Sequence, residues 1–352
     1  MTVTAPKHET VHAYAVKAKG DPIAAWEYKP RPLGNNDVEI EIDHCGICGT
    51  DVHMVDNGWG MTRYPITPGH EIIGRVTSKG NAVSKLNLGD VVGVGYQAYA
   101  CLKPDCPACG RGLDVSCPKG IPTSNGQYPD GHSAQGGFAD SIRVDSNYAF
   151  AIPKAIDPAI AGPLMCAGAT VFTPMLHNRF KSGDRVGVIG IGGLGHLAIQ
   201  FAKAFGTTVT AFTTSANKVD ESKKLGATNA VVMSDENQVK KAANSVDYLI
   251  ITSNSKNTDW DQLASFVDYK GKLILVALPE EPLSIQAFSL LTKCMSLETS
   301  RIGGIEEIPQ MLEFAAKHHI RPWVERMPMK DCGKALDKVE NGRPRYRVVV
   351  SN

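Results

Sequence analysis

Four cysteines crowd one short stretch of the chain, Cys101, Cys106, Cys109 and Cys117, all within 17 positions. Four thiolates close a tetrahedral shell around zinc and leave no open position, which is how a structural zinc is held. Glycine and proline between them supply the turns such a loop needs. Four free thiols in one exposed loop is the weaker explanation. In a reducing compartment, clustered cysteines point to metal before disulfides.

A second set is scattered: Cys48 in Cys45-Gly46-Ile47-Cys48-Gly49-Thr50-Asp51-Val52-His53, His70 and Glu71 after Gly69, and Cys166 before Ala167-Gly168. Two cysteines and a histidine would leave zinc a fourth position for water or substrate, the pattern of a catalytic site. Singly, each has an ordinary alternative: a buried cysteine packs as a small hydrophobe, and a core histidine is satisfied by hydrogen bonds. Their coincidence with the other motifs gives them weight.

A third signal is Gly190-Ile191-Gly192-Gly193-Leu194-Gly195, a G-x-G-x-x-G loop. Its glycines permit a tight strand-to-helix turn and let backbone amides approach a pyrophosphate at a helix N-terminus. Alone the motif is weak. Here a continuous apolar run, Val186 to Ile191, precedes it, and a helical pattern from Leu194 to Phe205 follows. The next strand ends in Thr213-Thr214-Ser215-Ala216-Asn217-Lys218. NAD sites place Asp or Glu there for the ribose hydroxyls; here no acid opposes a 2′-phosphate, and Thr213, Thr214, Ser215 and Lys218 are available to bind one. The same residues also suit the N-cap of a helix, and both roles are compatible.

The elements that must carry these residues fall into two textures. Val38 to Ile42 alternates as a half-buried strand, and Ile72 to Val76 and Asp90 to Val94 read as further short strands among Gly and Pro. From about residue 160, strands alternate with helices: Val209–Phe212, Ala230–Met233, Tyr248–Ile251 and Leu273–Val276. That alternation predicts a doubly wound parallel sheet. A helix over Glu306–Lys317 and a strand over Arg347–Val350 follow, too little for a domain, so the tail returns to the first one. The expected fold class is α/β, a partly open β-barrel followed by a Rossmann domain, with boundaries at 1–162, 163–302 and 303–352.

The chain has 352 residues, 43% hydrophobic and 21% charged, with a formal net charge of +1. This is globular composition with no basic stripe, so nucleic acid and anionic membranes are poor partners. Met1 to Thr10 is polar, with no apolar core of a signal peptide. A cytoplasmic protein is expected.

Together these residues resemble the zinc-dependent medium-chain dehydrogenase/reductase superfamily, most closely its cinnamyl-alcohol-dehydrogenase-like branch. The resemblance rests on Cys48 to His53, Gly69 to Glu71, the Cys101 to Cys117 loop, Gly136-Gly137-Phe138-Ala139, Cys166 to Gly168, Gly190 to His196 and Thr213 to Lys218. It implies a GroES-like catalytic domain, a Rossmann domain binding NADP(H), and two zinc ions per chain. Cys48, His70 and Cys166 become catalytic zinc ligands, with Glu71 beside the metal and able to coordinate it transiently. Thr50 and His53 become a proton relay by way of the cofactor ribose, and Thr50 a cofactor contact. The implied activity is interconversion of a primary alcohol and an aldehyde, aromatic or unsaturated, by a homodimer. The loop departs from the family in spacing Cys101 from Cys106 by four residues rather than two, and Arg301 stands where a small or apolar residue is common. Cys45, Cys294 and Cys332 match no ligand and are expected to pack. Met54, Val55, Trp59 and Met61 are expected to offer apolar surface near the metal, and Tyr64 is a further candidate for that wall; for Met54, Trp59 and Tyr64 core packing is an equally ordinary role. The rival readings are a C=C or iminium reductase of the same family, a non-enzymatic cofactor-binding sensor, and a structural metal-binding protein. Thr50 and His53 favour carbonyl chemistry, no catalytic ligand is lost, and the glycine loop has no place in a purely structural protein.

Overall fold

The computed structural model describes residues 6–253, 255–256, 258–279 and 281–352. The chain forms two compact units, Met1–Cys166 with Gly303–Asn352, and Ala167–Ile302. The changeover expected at 162/163 falls after Cys166. The turn Gly162–Met165 is buried, and Gly162 lies against the backbone of Glu71 and Gly46, so it belongs with the first unit's strands.

The first unit is built on a seven-stranded sheet. Its order is Val324–Pro328, Arg347–Ser351, Asp37–Ile47, Glu71–Lys79, Val91–Val94 and Phe150–Ala151, with Ser141–Asp145 also paired to Asp37–Ile47. All pairings but the first are antiparallel. Register shifts between Glu39 and Ile40 and between Ile42 and His44 bend the long strand, which is how a short-stranded sheet curls toward a barrel. Val348–Ser351 pair with Ile47–His44, joining segments 307 residues apart. Beyond the expected tail, the structure adds the strand Val324–Pro328 and the helix Cys332–Glu340. The helix buries Cys332, Ala335 and Leu336 in the core of this unit.

The strand read as half-buried from its alternation is buried on both faces at Glu39, which is 1% exposed. Arg143 Nε donates to its carboxylate at 2.8 Å and the Lys7 amide at 2.7 Å, so the N-terminal segment covers the face that the pattern assigned to solvent.

The second unit carries a six-stranded parallel sheet in the order Asn229–Val232, Thr208–Thr213, Arg185–Ile189, Val246–Ile251, Val267–Leu275, Ser296–Thr299. Numbered along the chain this is 3-2-1-4-5-6, the dinucleotide-binding order. Val186, Val188, Leu249, Ile250, Leu273 and Ile274 are fully buried, as expected for strands covered on both faces. Cys294, expected to pack, is exposed in a left-handed turn after the helix Ala287–Leu291. Among the described residues no single helix is long and apolar enough to cross a membrane.

Candidate active site

Cys48 precedes the helix Gly49–Val55, His70 and Glu71 open the strand Glu71–Lys79, and Cys166 follows the turn Gly162–Met165. The fold brings one ligand atom from each of the four within 4.8 Å of the others. His70 Nε2 lies 3.3 Å from Cys166 Sγ, and Cys166 Sγ 3.9 Å from Cys48 Sγ. His70 and Glu71 are buried, while both cysteines are half-buried.

Asp51, quoted in the motif but given no role, organises this cluster. One carboxylate oxygen accepts the Gly69 amide at 2.8 Å and lies 3.1 Å from His70 Nδ1; the other accepts the Cys48 amide at 2.9 Å. With Nδ1 directed at a carboxylate, the Nε2 lone pair faces the two sulfurs, the tautomer a metal-binding histidine needs. Arg347 is the second residue that the sequence reading missed. Its Nη2 donates to Glu71 Oε1, while Glu71 Oε2 and Arg347 Nε have no hydrogen-bond partner among the described residues.

The electrostatics fit a cation. Cys48 is held well below its ordinary thiol range, first by the Cys166 thiol and then, against burial, by His70; Cys166 is raised by Cys48 and by burial. Burial works against charge on His70, yet Asp51 raises it. Burial pushes the Glu71 carboxyl up to about 7, with Arg347 opposing. Two thiols, one oriented imidazole and a buried carboxylate oxygen without a partner form a donor set suited to zinc.

The four-cysteine loop gathers as well, Cys101 included. Sγ separations are 3.5 Å for Cys117–Cys101, 3.8 Å for Cys101–Cys109 and 3.9 Å for Cys106–Cys117. A tetrahedron with zinc–sulfur bonds of about 2.3 Å has edges of about 3.8 Å. The longer gap after Cys101 is taken up by a turn in which the Cys106 amide donates to the Lys103 carbonyl.

Thr50 and His53 lie on the helix that follows Cys48, three positions apart and so on one face. The expected apolar wall is different from its sequence reading. Met54 is buried with Val16 and Ile66, Val55, Trp59 and Tyr64 pack on that cluster, and Met61 is 60% exposed. Packing, the other role open to Met54, Trp59 and Tyr64, is thus met by them and by Val55, while Met61 faces solvent.

In the second unit, Gly190 adopts φ +89°, and a Cβ on Gly195 would stand 2.0 Å from the Gly190 carbonyl oxygen, so neither position admits a side chain. A cavity of about 450 Å³ opens there, lined by Gly190, Gly192, Thr213, Thr214 and Lys218. Gly193, Leu194, Gly195 and Ser215 are off its lining; Leu194 and Gly195 begin the helix Gly195–Ala204. Thr213 is buried, and its hydroxyl accepts the Ser215 amide at 3.2 Å, a contact within the turn; neither the short helix Ala216–Lys218 nor the helix Val219–Leu225 has a side-chain N-cap bond, so the expected capping role is not the one these residues play. Lys218 Nζ donates to the Ile191 carbonyl at 2.8 Å, bridging the strand end to the glycine loop. One acid does line the cavity: Asp259, whose carboxylate accepts the Gln262 amide at the start of the helix Trp260–Phe266.

A parallel dinucleotide sheet in one unit and two metal-competent clusters in the barrel-like other define a zinc-binding dehydrogenase. The alcohol dehydrogenase GroES-like domain model matches residues 34–154 and the zinc-binding dehydrogenase model residues 193–317. An aldehyde reductase of Synechocystis sp. is 39% identical, covering 97% of this chain and 99% of its own. The 8-hydroxygeraniol dehydrogenase of Catharanthus roseus is 39% identical over 96% of this chain and 93% of its own. A cinnamyl alcohol dehydrogenase structure from Sorghum bicolor superposes with a TM-score of 0.93 at 35% identity, covering 97% of each chain. That of Helicobacter pylori, complexed with NADP(H), gives 0.90 at 29%, covering 97% and 98%. The chain belongs to the zinc-dependent medium-chain dehydrogenase/reductase superfamily, in its cinnamyl-alcohol-dehydrogenase-like branch. It is an oxidoreductase of the alcohol dehydrogenase/aldehyde reductase class that uses zinc and NADP(H).

Proposed function

We propose that this enzyme reduces apolar aldehydes, aromatic or α,β-unsaturated, to primary alcohols and leaves a conjugated double bond intact. The observation that carries the reading is the three-ligand cluster of Cys48, His70 and Cys166 with Thr50 and His53 on the adjoining helix. When bound, zinc polarises a carbonyl oxygen as a Lewis acid and NADPH supplies the hydride. Cys48, His70 and Cys166 hold the metal, Asp51 orients His70, and Glu71 stands by as an exchangeable ligand balanced against Arg347. The Thr50 hydroxyl gives a proton to the forming alcohol, and His53 replaces it from solvent; a hydroxyl both donates and accepts, and an imidazole carries a nitrogen on each side of its ring for passing a proton on. Cys101, Cys106, Cys109 and Cys117 hold the structural zinc. Gly190, Gly192, Gly193, Leu194 and Gly195 receive the pyrophosphate, while Thr213, Thr214, Ser215 and Lys218 read the 2′-phosphate.

The unit Met1–Cys166 with Gly303–Asn352 is the catalytic part in this reading, and Ala167–Ile302 the cofactor-binding part. The division proposed at 302/303 coincides with that of the units, and the one expected at 162/163 is proposed instead between Cys166 and Ala167. The absence of Arg and Lys from Cys48 to Met61 disfavours a charged substrate. Relatives at 38% identity are cinnamyl alcohol dehydrogenases of Rauvolfia serpentina and Arabidopsis thaliana, which supports the aromatic class. A homodimer is supported by the edge strand Ser296–Thr299 and by Phe288 and Leu291, 74% and 71% exposed on the nearby helix; light scattering would read it. Nine free cysteines suit the cytoplasm.

Incubation with NADPH and cinnamaldehyde, followed by product identification by mass and proton spectra, tests the reading. Cinnamyl alcohol supports it. The saturated aldehyde moves the enzyme to conjugate reduction, and no turnover across a broad aldehyde panel would defeat it.

A further inference from the structure

His53 stands at the end of the helix Gly49–Val55, a half-buried imidazole whose ring torsion is intrinsically broad. A relay needs one ring nitrogen turned inward and the other outward, so a freely turning ring spends part of its time useless. The structure restrains it on one face. Trp59 stacks on the ring with centroids 4.8 Å apart and planes 23° from parallel. The stack fixes the plane of the imidazole. At the ring edge Gly58 leaves room that a side chain would take away: a Cβ there would come to 3.0 Å from His53 Nδ1.

The segment that carries Gly58 and Trp59 is itself fastened down. The Gly58 amide donates to the His53 carbonyl at 2.8 Å. Asn57, at φ +52°, accepts the Thr62 amide on its side-chain oxygen at 2.9 Å, and the Thr62 hydroxyl donates to the Met54 carbonyl at 2.7 Å. Asn125 donates to the Met61 carbonyl at 3.2 Å and accepts the Arg63 amide at 2.7 Å. Trp59 also packs on the cluster of Val16, Met54 and Ile66. The indole is therefore anchored in the core of its own unit and presented to one histidine.

We propose that Trp59 and the side-chain-free Gly58 form a slot in which the Trp59 stack holds the His53 imidazole in the plane proton transfer requires and Gly58 keeps the ring edge clear, so that Trp59 is a positioning residue for the reaction. This rests on the assignment of His53 to the relay. The slot acts on the proton step and leaves aldehyde binding alone.

The test compares Trp59→Leu, Trp59→Phe and Gly58→Ala, each alone and combined with His53→Ala, in the zinc- and NADPH-loaded enzyme with an aldehyde it turns over. Leucine fills the apolar cluster without a flat face, and phenylalanine restores one. Trp59→Leu and Gly58→Ala are expected to lower kcat about three- to tenfold, the population shift a ring pair of this kind supports, with KM within about twofold. Trp59→Phe should recover most of the loss. In the His53→Ala background the same changes should do nothing further, the non-additivity of groups that act through one another. A second reading needs no turnover: the His53 ring-proton resonance, identified by its disappearance in His53→Ala, should lie upfield in the wild type and move downfield in Trp59→Leu. Equal losses in both backgrounds, an effect confined to KM, or an unshifted resonance overturns the slot while the relay stands. Full kcat in His53→Ala overturns relay and slot together.

Discussion

The carboxylate of Asp51 lies 3.1 Å from His70 Nδ1 and takes the amide of Cys48, so one buried side chain sets both a ligand's tautomer and its neighbour's backbone. Asp51→Asn keeps the shape and removes the charge. We expect it to weaken zinc at the Cys48–His70–Cys166 cluster about 10- to 100-fold, the usual cost of losing such a partner. Competition with a graded series of chelators reads this directly, and the four-cysteine site should keep its metal. Unchanged retention would make Asp51 a scaffold residue only.

Cys106→Ser should remove one zinc of two and lower thermal stability, because binding energy at a structural site is folding energy. Metal analysis together with a melting curve checks it. Full zinc content in the variant would place the metal elsewhere.

Thr50→Ala should retain zinc and cut aldehyde reduction about 10²- to 10⁴-fold, the range for lost general acid–base help. Full activity with full zinc content would remove Thr50 from the relay.

The enzyme should prefer NADPH to NADH by roughly tenfold or more, and Lys218→Ala should narrow the preference mainly through the NADPH Michaelis constant. Because Lys218 also ties the strand end to the Ile191 carbonyl, a small rise in the NADH constant should accompany it. Equal catalytic efficiency with both cofactors in the wild type would remove the 2′-phosphate reading.

The Glu39–Arg143 pair gives a pH dependence. Burial pushes the Glu39 carboxyl up, but Arg143, the Lys7 amide and His8 outweigh it and hold it below its ordinary value. A depressed folded-state value means the pair stabilises the fold above the ordinary carboxyl range, and that the contribution fades as pH falls through and below it. Glu39→Gln should therefore melt lower than the wild type at pH 7, with the gap closing toward pH 4. Replacing Arg143 by Met, which strands the carboxylate, should cost about 3–5 kcal/mol in denaturant unfolding. A gap that stays constant with pH would show that Glu39 acts by packing alone.

Short-range pattern carried much of this molecule. The parallel strands were legible because burial on both faces makes an apolar run, and the glycine loop because its spacing is local. The metal clusters were legible because cysteine has few other uses at such density. What escaped depends on partners distant in sequence. Glu39 reads as a solvent-facing residue of an alternating strand until Arg143 and Lys7 are laid on it. Arg347 reads as the first residue of a late strand and gains its place only when that strand brings it to Glu71. Met54 and Trp59 look like pocket wall beside a metal ligand, yet Val16 and Ile66 claim them. Cys294 reads as a packing residue because nothing nearby in sequence marks the exposed turn that carries it.

The pairing of Val348–Ser351 with Ile47–His44 bears on how the chain is made. The sheet that seats Cys48 and Glu71 has a gap beside its longest strand until residues 347–351 have left the ribosome, and Arg347 arrives at Glu71 only then. The six parallel strands between Arg185 and Thr299 have no such debt to the end of the chain and can close while synthesis continues. Cys48, His70, Glu71 and Cys166 all lie within the first 166 residues, so the last strand, about half the chain later, supplies no ligand but completes the sheet that seats them and brings Arg347 to Glu71.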